Sequence, residues 1–366
     1  MSKNYRVGII GFAHMHITSL IDYFLEIPNI EWVACADTIP EVPSISLEPG
    51  TRKANLKYAV EKTGMKVYED YREMLDKEEF DIVLFCPENA RHGEVAEAIA
   101  RKKVLMMITE KPMASSLPSA LRMVRSAYYN NVKLVINWPT TWSPAIRKVK
   151  ELIDADEIGA VWQVKWRNGA SMGPLAYGQK ISDWEKGQEW WHQERTGGGA
   201  LLDYCCYGAC LSRWFLEEQA ISAFGIRANF TSHYGDADDN AVILVRFPSS
   251  MAILEATWST VNTGIPSGPI VYGTTGTIVV DYGKVLVFKD RRSKEPTLVF
   301  ENLTLPEGRE TLAKEVIYHL ETGEPLHPTL DIPLNLDVMA ILDAGIRSAK
   351  SGKMELVNNV NWCIGE

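Results

Sequence analysis

The chain has 366 residues, which is longer than one hydrophobic core usually serves, so its length favours two domains. Hydrophobic residues make up 46% of the chain and charged residues 23%, a composition that excludes an intrinsically disordered protein. The 38 basic and 47 acidic side chains give a net charge of −9, which argues against nucleic-acid and membrane-surface partners and favours a small-molecule substrate.

The amino-terminal residues and the cysteines indicate a cytoplasmic protein. The chain begins with only a short apolar run, unlike the longer apolar region of a signal peptide. No stretch approaches the roughly 18 apolar residues that a membrane-spanning helix needs. The six cysteines include no C-x-x-C pair and have no histidines at zinc spacing, which predicts buried thiols in a reducing compartment.

In the first third of the chain, short apolar runs alternate with amphipathic segments. Continuous apolar strands separated by helices are typical of a parallel sheet covered on both faces, so residues 1–133 are predicted to form a doubly wound α/β domain. The predicted strands are Arg6–Ile10, Glu31–Ala36, Lys66–Tyr68, Asp81–Cys86, Val104–Thr109 and Lys133–Asn137. The predicted helices are Ile17–Leu25, Tyr71–Lys77, Arg91–Arg101 and Ser116–Tyr129.

After about residue 138, longer alternating segments joined by short polar turns become common. Residues 134–366 are therefore predicted to form an α+β domain around a large open sheet, mixed or antiparallel. Its predicted strands are Val161–Arg167, Ala241–Phe247, Met251–Trp258, Ile270–Gly273, Thr277–Val280 and Lys284–Phe288. Its predicted helices are Ser143–Ile153, Asp203–Leu216 and Ile332–Ala349, and the last of these is a candidate to pack back toward the first domain.

The turn after the first strand has the composition of a nucleotide-binding turn. Dinucleotide folds need small residues there, because the pyrophosphate contacts backbone N–H groups at the start of the next helix. Gly11 and Ala13 meet this need, whereas His16 replaces the third glycine of the G-x-G-x-x-G pattern. An ordinary strand-to-helix turn is the alternative. His14 and His16 are interpreted as helix-start residues, and no metal site is predicted.

Asp37 ends the second strand, 26 residues after Gly11. This separation is typical of the acid that binds the adenosine ribose in a dinucleotide fold. The charge of Asp37 would repel a 2′-phosphate, so NAD is the predicted cofactor. Arg52 and Lys53 could approach the same region, which leaves NADP open.

Three further motifs follow in order: residues 86–92 (CPENARH), 109–114 (TEKPMA) and 197–207 (GGGALLDYCCY). Together with residues 8–16 and Asp37, they resemble the glucose-fructose oxidoreductase / inositol dehydrogenase / rhizopine catabolism (Gfo/Idh/MocA) family over nearly the whole chain. The resemblance implies an N-terminal Rossmann domain and a C-terminal domain with a large open sheet. The cofactor site expected from the turn and this resemblance consists of Gly11, Phe12, Ala13, His14, Met15, Asp37, Pro87, His92, Glu110 and Lys111. For His92, a structural role in bracing the nicotinamide loop is equally open.

The same resemblance implies that the reaction takes place at Lys111, Asp203 and Tyr207. In the family, the lysine of the E-K-P string lies beside the nicotinamide and the substrate. Asp203 corresponds to the aspartate of a D-x-x-x-H string, and Tyr207 replaces its histidine, the usual proton acceptor. In placing tyrosine at this position, the chain resembles glucose-fructose oxidoreductase and some aldose dehydrogenases. Cys210, where the family often has aspartate, departs from the inositol dehydrogenases.

The chemistry of an alcohol oxidation supports the same three residues. The alcohol loses hydride only as its hydroxyl proton is taken up, so a base must lie within hydrogen-bond reach. Asp203 and Tyr207 are four residues apart and share one face of a helix. Tyrosine is a poor base at neutral pH unless a cation stabilises its phenolate, and Lys111 is predicted to supply that cation. The alternatives are a surface lysine and a core tyrosine.

Tryptophans are concentrated between residues 138 and 191, with polar side chains among them. Aromatic rings beside directed hydrogen-bonding groups suit a carbohydrate. Arg167 and Lys165 could pair with the carboxylate of a sugar acid or form a solvated strand face, and the acidic turn at residues 236–239 is expected to be a solvated hairpin. The predicted substrate contacts are Lys111, Arg167, Trp190, Trp191, His192, Arg195, Asp203 and Tyr207.

The predicted function is NAD(P)-dependent transfer of hydride between nicotinamide and a carbinol carbon of a sugar or polyol, whether an aldose, a sugar acid, a glycoside or a cyclitol. One alternative is an enzyme that retains NAD through an oxidation and reduction cycle during hydrolysis or isomerisation. Another is a non-catalytic nucleotide sensor. Family members often associate through the open sheet, which implies a homodimer or homotetramer.

Overall fold

The computed structural model describes residues 3–40, 44, 46–169, 181–261 and 268–358. The first domain is a doubly wound α/β unit, as predicted, with six parallel strands in the order 3-2-1-4-5-6. Its strands are β1 (Tyr5–Phe12), β2 (Ile30–Ala36), β3 (Lys66–Tyr68), β4 (Ile82–Cys86), β5 (Met106–Glu110) and β6 (Lys133–Asn137). Its helices are α1 (Ile17–Leu25), α2 (Arg52–Thr63), α3 (Tyr71–Lys77), α4 (His92–Ala100) and α5 (Leu117–Tyr129).

Helices cover both faces of this sheet, and β4 is buried along its whole length. That burial explains why the sequence of β4 is an unbroken apolar run, Ile-Val-Leu-Phe-Cys. Local signals set the helix ends. The side chain of Ser116, for example, accepts the amide of Ser119 and so caps the start of α5. The predicted elements of this domain all fall within two residues of the observed ones, and α2 was not predicted.

The second domain is built on a mixed nine-stranded sheet, in the order 14-13-12-11-7-10-9-8-15. Its strands are β7 (Val161–Gly169), β8 (Ser222–Ala228), β9 (Asn240–Arg246), β10 (Met251–Thr257), β11 (Ile270–Gly273), β12 (Thr277–Asp281), β13 (Lys284–Phe288), β14 (Leu298–Phe300) and β15 (Glu355–Leu356). β7 and β10 run parallel, and the other described pairs are antiparallel. The helices are α6 (Pro144–Asp154), α7 (Asp183–Gln188), α8 (Cys206–Leu216), α9 (Leu312–Thr322) and α10 (Ile332–Ser351).

The two faces of this sheet differ in what covers them. On the inner face, α8 packs against β7 and β10, and Trp166 and Leu254 are buried beneath it. Side chains alternate along a strand, so the neighbouring residues Lys165 and Arg167 lie on the outer face. Leu244 lies on the outer face as well and is 47% exposed.

The predicted division at residues 133 and 134 does not follow the observed sheets and cores. The strand β6 runs from Lys133 to Asn137 and completes the first sheet beside β5. Helix α9, from the far end of the chain, packs on α1, and its Leu312 and Val316 belong to the core of the first domain. Helix α10 packs on β8 and α8 and also contacts α5, so it spans both domains as the prediction allowed.

None of the helices in the described part of the chain is long and apolar enough to cross a membrane. Five cysteines are buried and unpaired, as expected: Cys35, Cys86, Cys205, Cys206 and Cys210. The sixth, Cys363, lies outside the described residues.

Candidate active site

The turn between β1 and α1 approaches the end of β4 closely. Gly11 has a φ of 80°, and a Cβ there would lie 2.6 Å from the backbone nitrogen of Pro87, so only glycine fits. The amide of His14 donates to the carbonyl of Cys86 at 3.1 Å. The order of strands reverses between β1 and β4, and this is where a doubly wound fold binds its ligand.

Asp37 follows β2 and lies beside this turn. Its Oδ1 accepts the amides of Phe12 and Thr38 at 3.1 and 2.8 Å, and it accepts Nη1 of Arg52 at 2.5 Å. Burial raises the pKa of Asp37, and Arg52 partly opposes this. No hydrogen bond from a described residue reaches Oδ2, so this oxygen is available to a ribose hydroxyl. The glycine turn and the free carboxylate oxygen together fit a dinucleotide.

The two histidines of the turn form a hydrogen-bonded group with Glu110, the last residue of β5. Nδ1 of His16 lies 3.0 Å from Oε2 of Glu110, and Oε1 of Glu110 accepts Nδ2 of Asn137 at 2.6 Å. Nδ1 of His14 accepts the amide of His16, and burial holds the pKa of His14 well below its usual value. The ligand-type atoms of the two histidines and Glu110 lie within 4.8 Å of one another. A metal ion would therefore have to compete with these hydrogen bonds.

His92 braces the loop that follows β5. Its Nδ1 lies 3.0 Å from the carbonyl oxygen of Met113, two residues beyond Lys111. Burial lowers the pKa of His92, so its ring is neutral at neutral pH. This position supports the bracing role that the sequence left open.

Lys111 and Asp203 form a buried ion pair between the domains. Nζ of Lys111 donates to Oδ1 of Asp203 at 2.6 Å and to its carbonyl oxygen at 3.0 Å. Lys111 is 1% exposed; burial acts to lower its pKa, but the charge of Asp203 prevails and raises it well above the usual value. The ammonium therefore stays charged. It has three N–H donors, Asp203 takes two, and no other described residue accepts the third.

Tyr207 lies beside the same ammonium and is enclosed by aromatic rings. Nζ of Lys111 is 4.5 Å from the centroid of the Tyr207 ring, in a cation–π contact. The ring of Trp166 stacks 6.2 Å away, and the ring of Trp138 meets it edge-on at 5.9 Å. Burial raises the pKa of Tyr207 well above its usual value, although Lys111 acts to lower it as expected. Burial outweighs the cation, so the phenol is protonated at neutral pH.

A π-helical turn at Leu201–Cys205 directly precedes α8 and carries Asp203. Such turns frequently occur at functional sites. Asp238 holds this turn in place. Its Oδ2 accepts the amide of Leu201, and its Oδ1 accepts a hydrogen bond from Arg227. The expectation of a solvated hairpin is therefore wrong for Asp238 and for Asp239, because both are buried as hydrogen-bond acceptors.

Two of the predicted substrate residues lie against the nucleotide turn. Nε1 of Trp190 donates to the carbonyl oxygen of Ala13 at 2.8 Å, which ties the second domain to the turn. The rings of Trp190 and Trp191 lie 3.9 Å apart, and the ring of His14 packs 4.8 Å from Trp191. Nε1 of Trp191 is buried with no described hydrogen-bond partner. An unsatisfied buried donor of this kind is a candidate ligand contact.

Three other predicted substrate residues, His192, Arg195 and Arg167, make their described contacts elsewhere. His192 is buried between the rings of Tyr234 and Trp258, and burial lowers its pKa to about 4. Arg195 is exposed, and its Nε contacts Gln193. Arg167 lies on the outer face of the nine-stranded sheet and donates to Thr260. Arg167 follows Trp166, which packs on Tyr207, and adjacent residues of a strand point to opposite faces.

Sequence reasoning missed three residues that organise the site. Trp138 packs on Tyr207, and its Nε1 donates to Asn335 of α10. Asn89 donates to the carbonyl of Gly197, where a Cβ on the glycine would lie 2.8 Å from Cβ of Asn89, so this contact joins the domains. Glu88 accepts Nη2 of Arg52. Asn89 and Glu88 belong to the CPENARH motif, which was the available signal.

Comparison with known families agrees with this architecture. Residues 5–138 match the model of an oxidoreductase family with an NAD-binding Rossmann fold, and residues 146–279 match the Gfo/Idh/MocA C-terminal domain. The chain belongs to the Gfo/Idh/MocA family. The predicted family, the fold class and the nature of the protein as an NAD-binding oxidoreductase are thereby confirmed.

Individual members of the Gfo/Idh/MocA family are similar to the chain over part of their length. D-xylose 1-dehydrogenase [NADP(+)] of Haloarcula marismortui is 26% identical over 218 residues, 58% of this chain and 57% of that protein. Myo-inositol 2-dehydrogenase of Thermotoga maritima is 25% identical over 238 residues, 63% of this chain and 65% of that protein. The matched segment thus spans less than two thirds of either relative. The names of both relatives are those of dehydrogenases, one of D-xylose and one of myo-inositol.

A solved structure of the same fold aligns over almost the whole chain. The WlbA dehydrogenase of Bordetella pertussis, in complex with NADH and UDP-GlcNAcA, matches with a TM-score of 0.74. The alignment covers 97% of this chain and 99% of that chain at 20% sequence identity. At that identity the comparison shows a shared fold.

Proposed function

We propose that the chain transfers hydride between NAD and a carbinol carbon of a neutral sugar or polyol, with NADP as the weaker cofactor. The observation that carries the proposal is the buried Lys111–Asp203 pair, which leaves one ammonium donor unused at the end of β5. This donor lies one residue beyond Glu110, which contacts the nucleotide turn through His16. A charged donor beside a dinucleotide cleft can stabilise the negative charge that develops on the substrate oxygen during an alcohol oxidation.

Lys111 has an electrostatic role in this proposal. When bound, the nicotinamide supplies the hydride acceptor. The free N–H of Lys111 donates to the substrate oxygen and stabilises the negative charge that develops there as the hydroxyl proton leaves. Asp203 keeps the ammonium charged and fixes its direction through two hydrogen bonds. A hydrogen bond to a developing oxyanion from a buried donor is among the largest single contributions to catalysis.

Tyr207 is the proposed acid and base. Its raised pKa makes the phenol the stable form, which suits donation of a proton to a carbonyl oxygen in the reductive direction. In the oxidative direction the phenol must first lose its proton, so oxidation should accelerate as the pH rises. The cation–π contact places Lys111 where it stabilises the phenolate once it forms.

The substrate is proposed to be neutral. The sugar-acid alternative depended on Lys165 and Arg167, and both lie on the outer sheet face, where Lys165 contacts Glu255 at 3.8 Å. Trp190 and Trp191 are retained as substrate-side residues because they line the junction of the nucleotide turn and the second domain. The geometry gives no support to contacts from His192, Arg195 or Arg167. The relatives named for D-xylose and myo-inositol favour an aldose or a cyclitol.

The proposed assembly is a homodimer or homotetramer formed through the outer face of the nine-stranded sheet. Cross-strand pairs place Ile226, Val242, Leu244 and Ile253 on that face. Ile226 and Leu244 are each about half exposed in the single chain. Exposed apolar side chains that cluster on one face favour an interaction surface. A cytoplasmic location is also proposed, supported by five unpaired cysteines.

Replacement of Lys111 by methionine tests the catalytic assignment. We expect Lys111→Met to lower turnover by about 10³-fold, with NADH bound as in the parent, because one oxyanion donor is lost. The double variant Lys111→Met with Asp203→Asn removes both buried charges, so it folds without an unpaired carboxylate and should be equally inactive. Lys57→Met, an exposed lysine on α2, is the matched control. Parent-like turnover of the double variant would refute the assignment.

A further inference from the structure

We propose that Glu88 makes this enzyme selective for NAD by holding the guanidinium of Arg52 away from the position of a 2′-phosphate. The inference rests on the proposed function, since it needs a dinucleotide bound beside Asp37. It assigns a specificity role to a residue of the CPENARH motif that the catalytic site does not use.

Both terminal nitrogens of Arg52 have acceptors within the chain. It is the first residue of α2 and is 6% exposed. Its Nη1 donates to Oδ1 of Asp37 at 2.5 Å, to the carbonyl of Thr38 at 3.2 Å and to the hydroxyl of Thr38 at 3.1 Å. Its Nη2 donates to Oε1 of Glu88. These acceptors turn both terminal nitrogens toward the chain, and the two carboxylates neutralise the guanidinium, so Arg52 attracts a phosphate less than a free arginine would.

The charges around Arg52 do not balance. One guanidinium lies between the carboxylates of Asp37 and Glu88. A third acid, Glu189 of the second domain, is buried nearby, accepts the hydroxyl of Ser44 and interacts electrostatically with Arg52 and Lys53. A phosphate on the ribose would enter a region with more carboxylates than cations. Because like charges repel strongly where water is excluded, this surplus favours the cofactor that lacks the phosphate.

Glu88 also has an unused acceptor. The residue is 3% exposed, yet its Oε2 is buried with no described hydrogen-bond partner. A buried carboxylate oxygen left unpaired is costly, so its presence beside Asp37 indicates a ligand that donates to it. A ribose 2′-hydroxyl is such a donor, whereas a 2′-phosphate has no hydrogen to give and carries negative charge.

The backbone fixes Glu88 in this position. Its carbonyl accepts the amide of Arg91 at 2.8 Å and so begins one 3₁₀ turn at Asn89–Arg91. The preceding residue, Pro87, forms the close contact with Gly11. Glu88 is therefore attached to the nucleotide turn on one side and to α2 through Arg52 on the other.

Dissociation constants for NADH and NADPH test the inference without any substrate, for example by titration of the tryptophan fluorescence. The parent chain should bind NADH more tightly. Glu88→Gln keeps the size of the side chain and an oxygen for Arg52 but removes the charge. We expect it to shift the NADPH-to-NADH affinity ratio toward NADPH by at least about tenfold, the effect of one unit charge at short range in a partly dry site.

Three further variants test whether the shift in the NADPH-to-NADH affinity ratio depends on the charge of Glu88 and on Arg52. Glu301→Gln makes the same change on an exposed side chain that pairs with Lys284, so the ratio should not move. Glu88→Asp retains the charge and should keep the preference for NADH. Adding Arg52→Ala to Glu88→Gln should abolish the gain for NADPH, because Arg52, no longer neutralised by Glu88, is the cation that attracts the phosphate.

The outcomes distinguish this inference from the proposed function. A parent chain that binds neither dinucleotide would contradict the proposed function itself. A parent that binds NADH, with the same affinity ratio in Glu88→Gln, would overturn only the role of Glu88. A parent that prefers NADPH would overturn it as well.

Discussion

Two buried charge clusters lie along the nucleotide cleft, and they are built differently. Arg52 lies between two carboxylates, Asp37 and Glu88, whereas Lys111 has one carboxylate, Asp203, and the face of the Tyr207 ring. The first cluster has a surplus of negative charge, and both terminal nitrogens of its guanidinium have acceptors within the chain. The second cluster is balanced, and one ammonium donor is left over. We propose from this difference that the first cluster selects the cofactor and that the second stabilises charge on the substrate oxygen.

The largest effect is expected when the phenol hydroxyl of the second cluster is removed. We expect Tyr207→Phe to lower turnover by about 10²-fold, the usual contribution of a general acid or base. Oxidation by the parent should rise with pH over the whole stable range, because the raised pKa of Tyr207 lets the phenolate fraction grow with pH. In Tyr207→Phe that rise should disappear.

Rates of oxidation across a pH series, with saturating cofactor, provide the measurement. Tyr282→Phe, which changes a highly exposed tyrosine between β12 and β13, is the control and should keep the parent profile. A parent profile that levels off below neutral pH would show that a different group takes the proton.

The corresponding change in the first cluster should affect binding and spare the chemistry. Asp37→Ala removes the predicted acceptor of the ribose hydroxyls, and we expect the dissociation constant for NADH to rise by about 10- to 100-fold. Turnover at saturating NAD should stay within about threefold of the parent, since Asp37 does not touch Lys111. Asp290→Ala in the exposed segment after β13 is the matched control. A large fall in turnover at saturation would show that the two clusters are not separate in function.

The pH dependence of stability tests the effect of burial on His192, which lies outside both clusters. The pKa of His192 is lowered to about 4, so its neutral form is favoured in the fold. The stability it contributes is complete above its unfolded pKa of about 6.5 and is lost as the pH falls from there toward 4. Between pH 7 and 4.5 the parent should lose about 2 to 3 kcal/mol of unfolding free energy through this residue alone. Denaturant unfolding of His192→Gln should show a shallower loss, and exposed His233→Gln should match the parent. An equal loss in both variants would contradict the assignment.

Substitutions on the outer face of the nine-stranded sheet are expected to have the smallest effect on either charge cluster. Leu244→Asp places a charge in the exposed apolar face, and sedimentation should show smaller assemblies than those of the parent, because a buried unpaired charge destabilises an interface. NADH binding should be unchanged. Leu47→Asp, at an exposed position in the segment before α2, should leave the assembly intact. A parent that sediments as a monomer would show that this face is not used between copies of the chain.

The sequence predicted most strands and helices because their burial follows simple periodicity. Helix α2 was missed because its buried residues are Arg52, Asn55 and Ala59, so it has no apolar stripe. Its register depends on polar contacts with distant residues, such as Arg52 with Glu88, 36 positions away. No local pattern encodes such a pairing.

The candidate site was predictable where a sequence motif existed. It was not predictable where the prediction depended on which face of a sheet a side chain occupies. The family resemblance singled out Lys111 and Asp203, and the structure brings them together across 92 positions. Arg167 was predicted to contact the substrate because tryptophans lie near it in the sequence. Side chains alternate along β7, however, so Arg167 lies on the sheet face opposite Trp166. The sign of the pKa shift of Tyr207 was not foreseen, because the tryptophans that enclose its ring come from β7 and from the segment after β6.

The most direct test of the account is reduction of NAD and NADP, measured separately, by the purified chain with aldoses, sugar acids, glycosides and cyclitols. We expect turnover with a neutral aldose or cyclitol and a higher kcat/KM with NAD than with NADP. Turnover confined to sugar acids would contradict the proposed substrate class. Failure to reduce either nucleotide with any of these compounds, and to oxidise NADH with the corresponding keto-sugars, would contradict the proposed reaction.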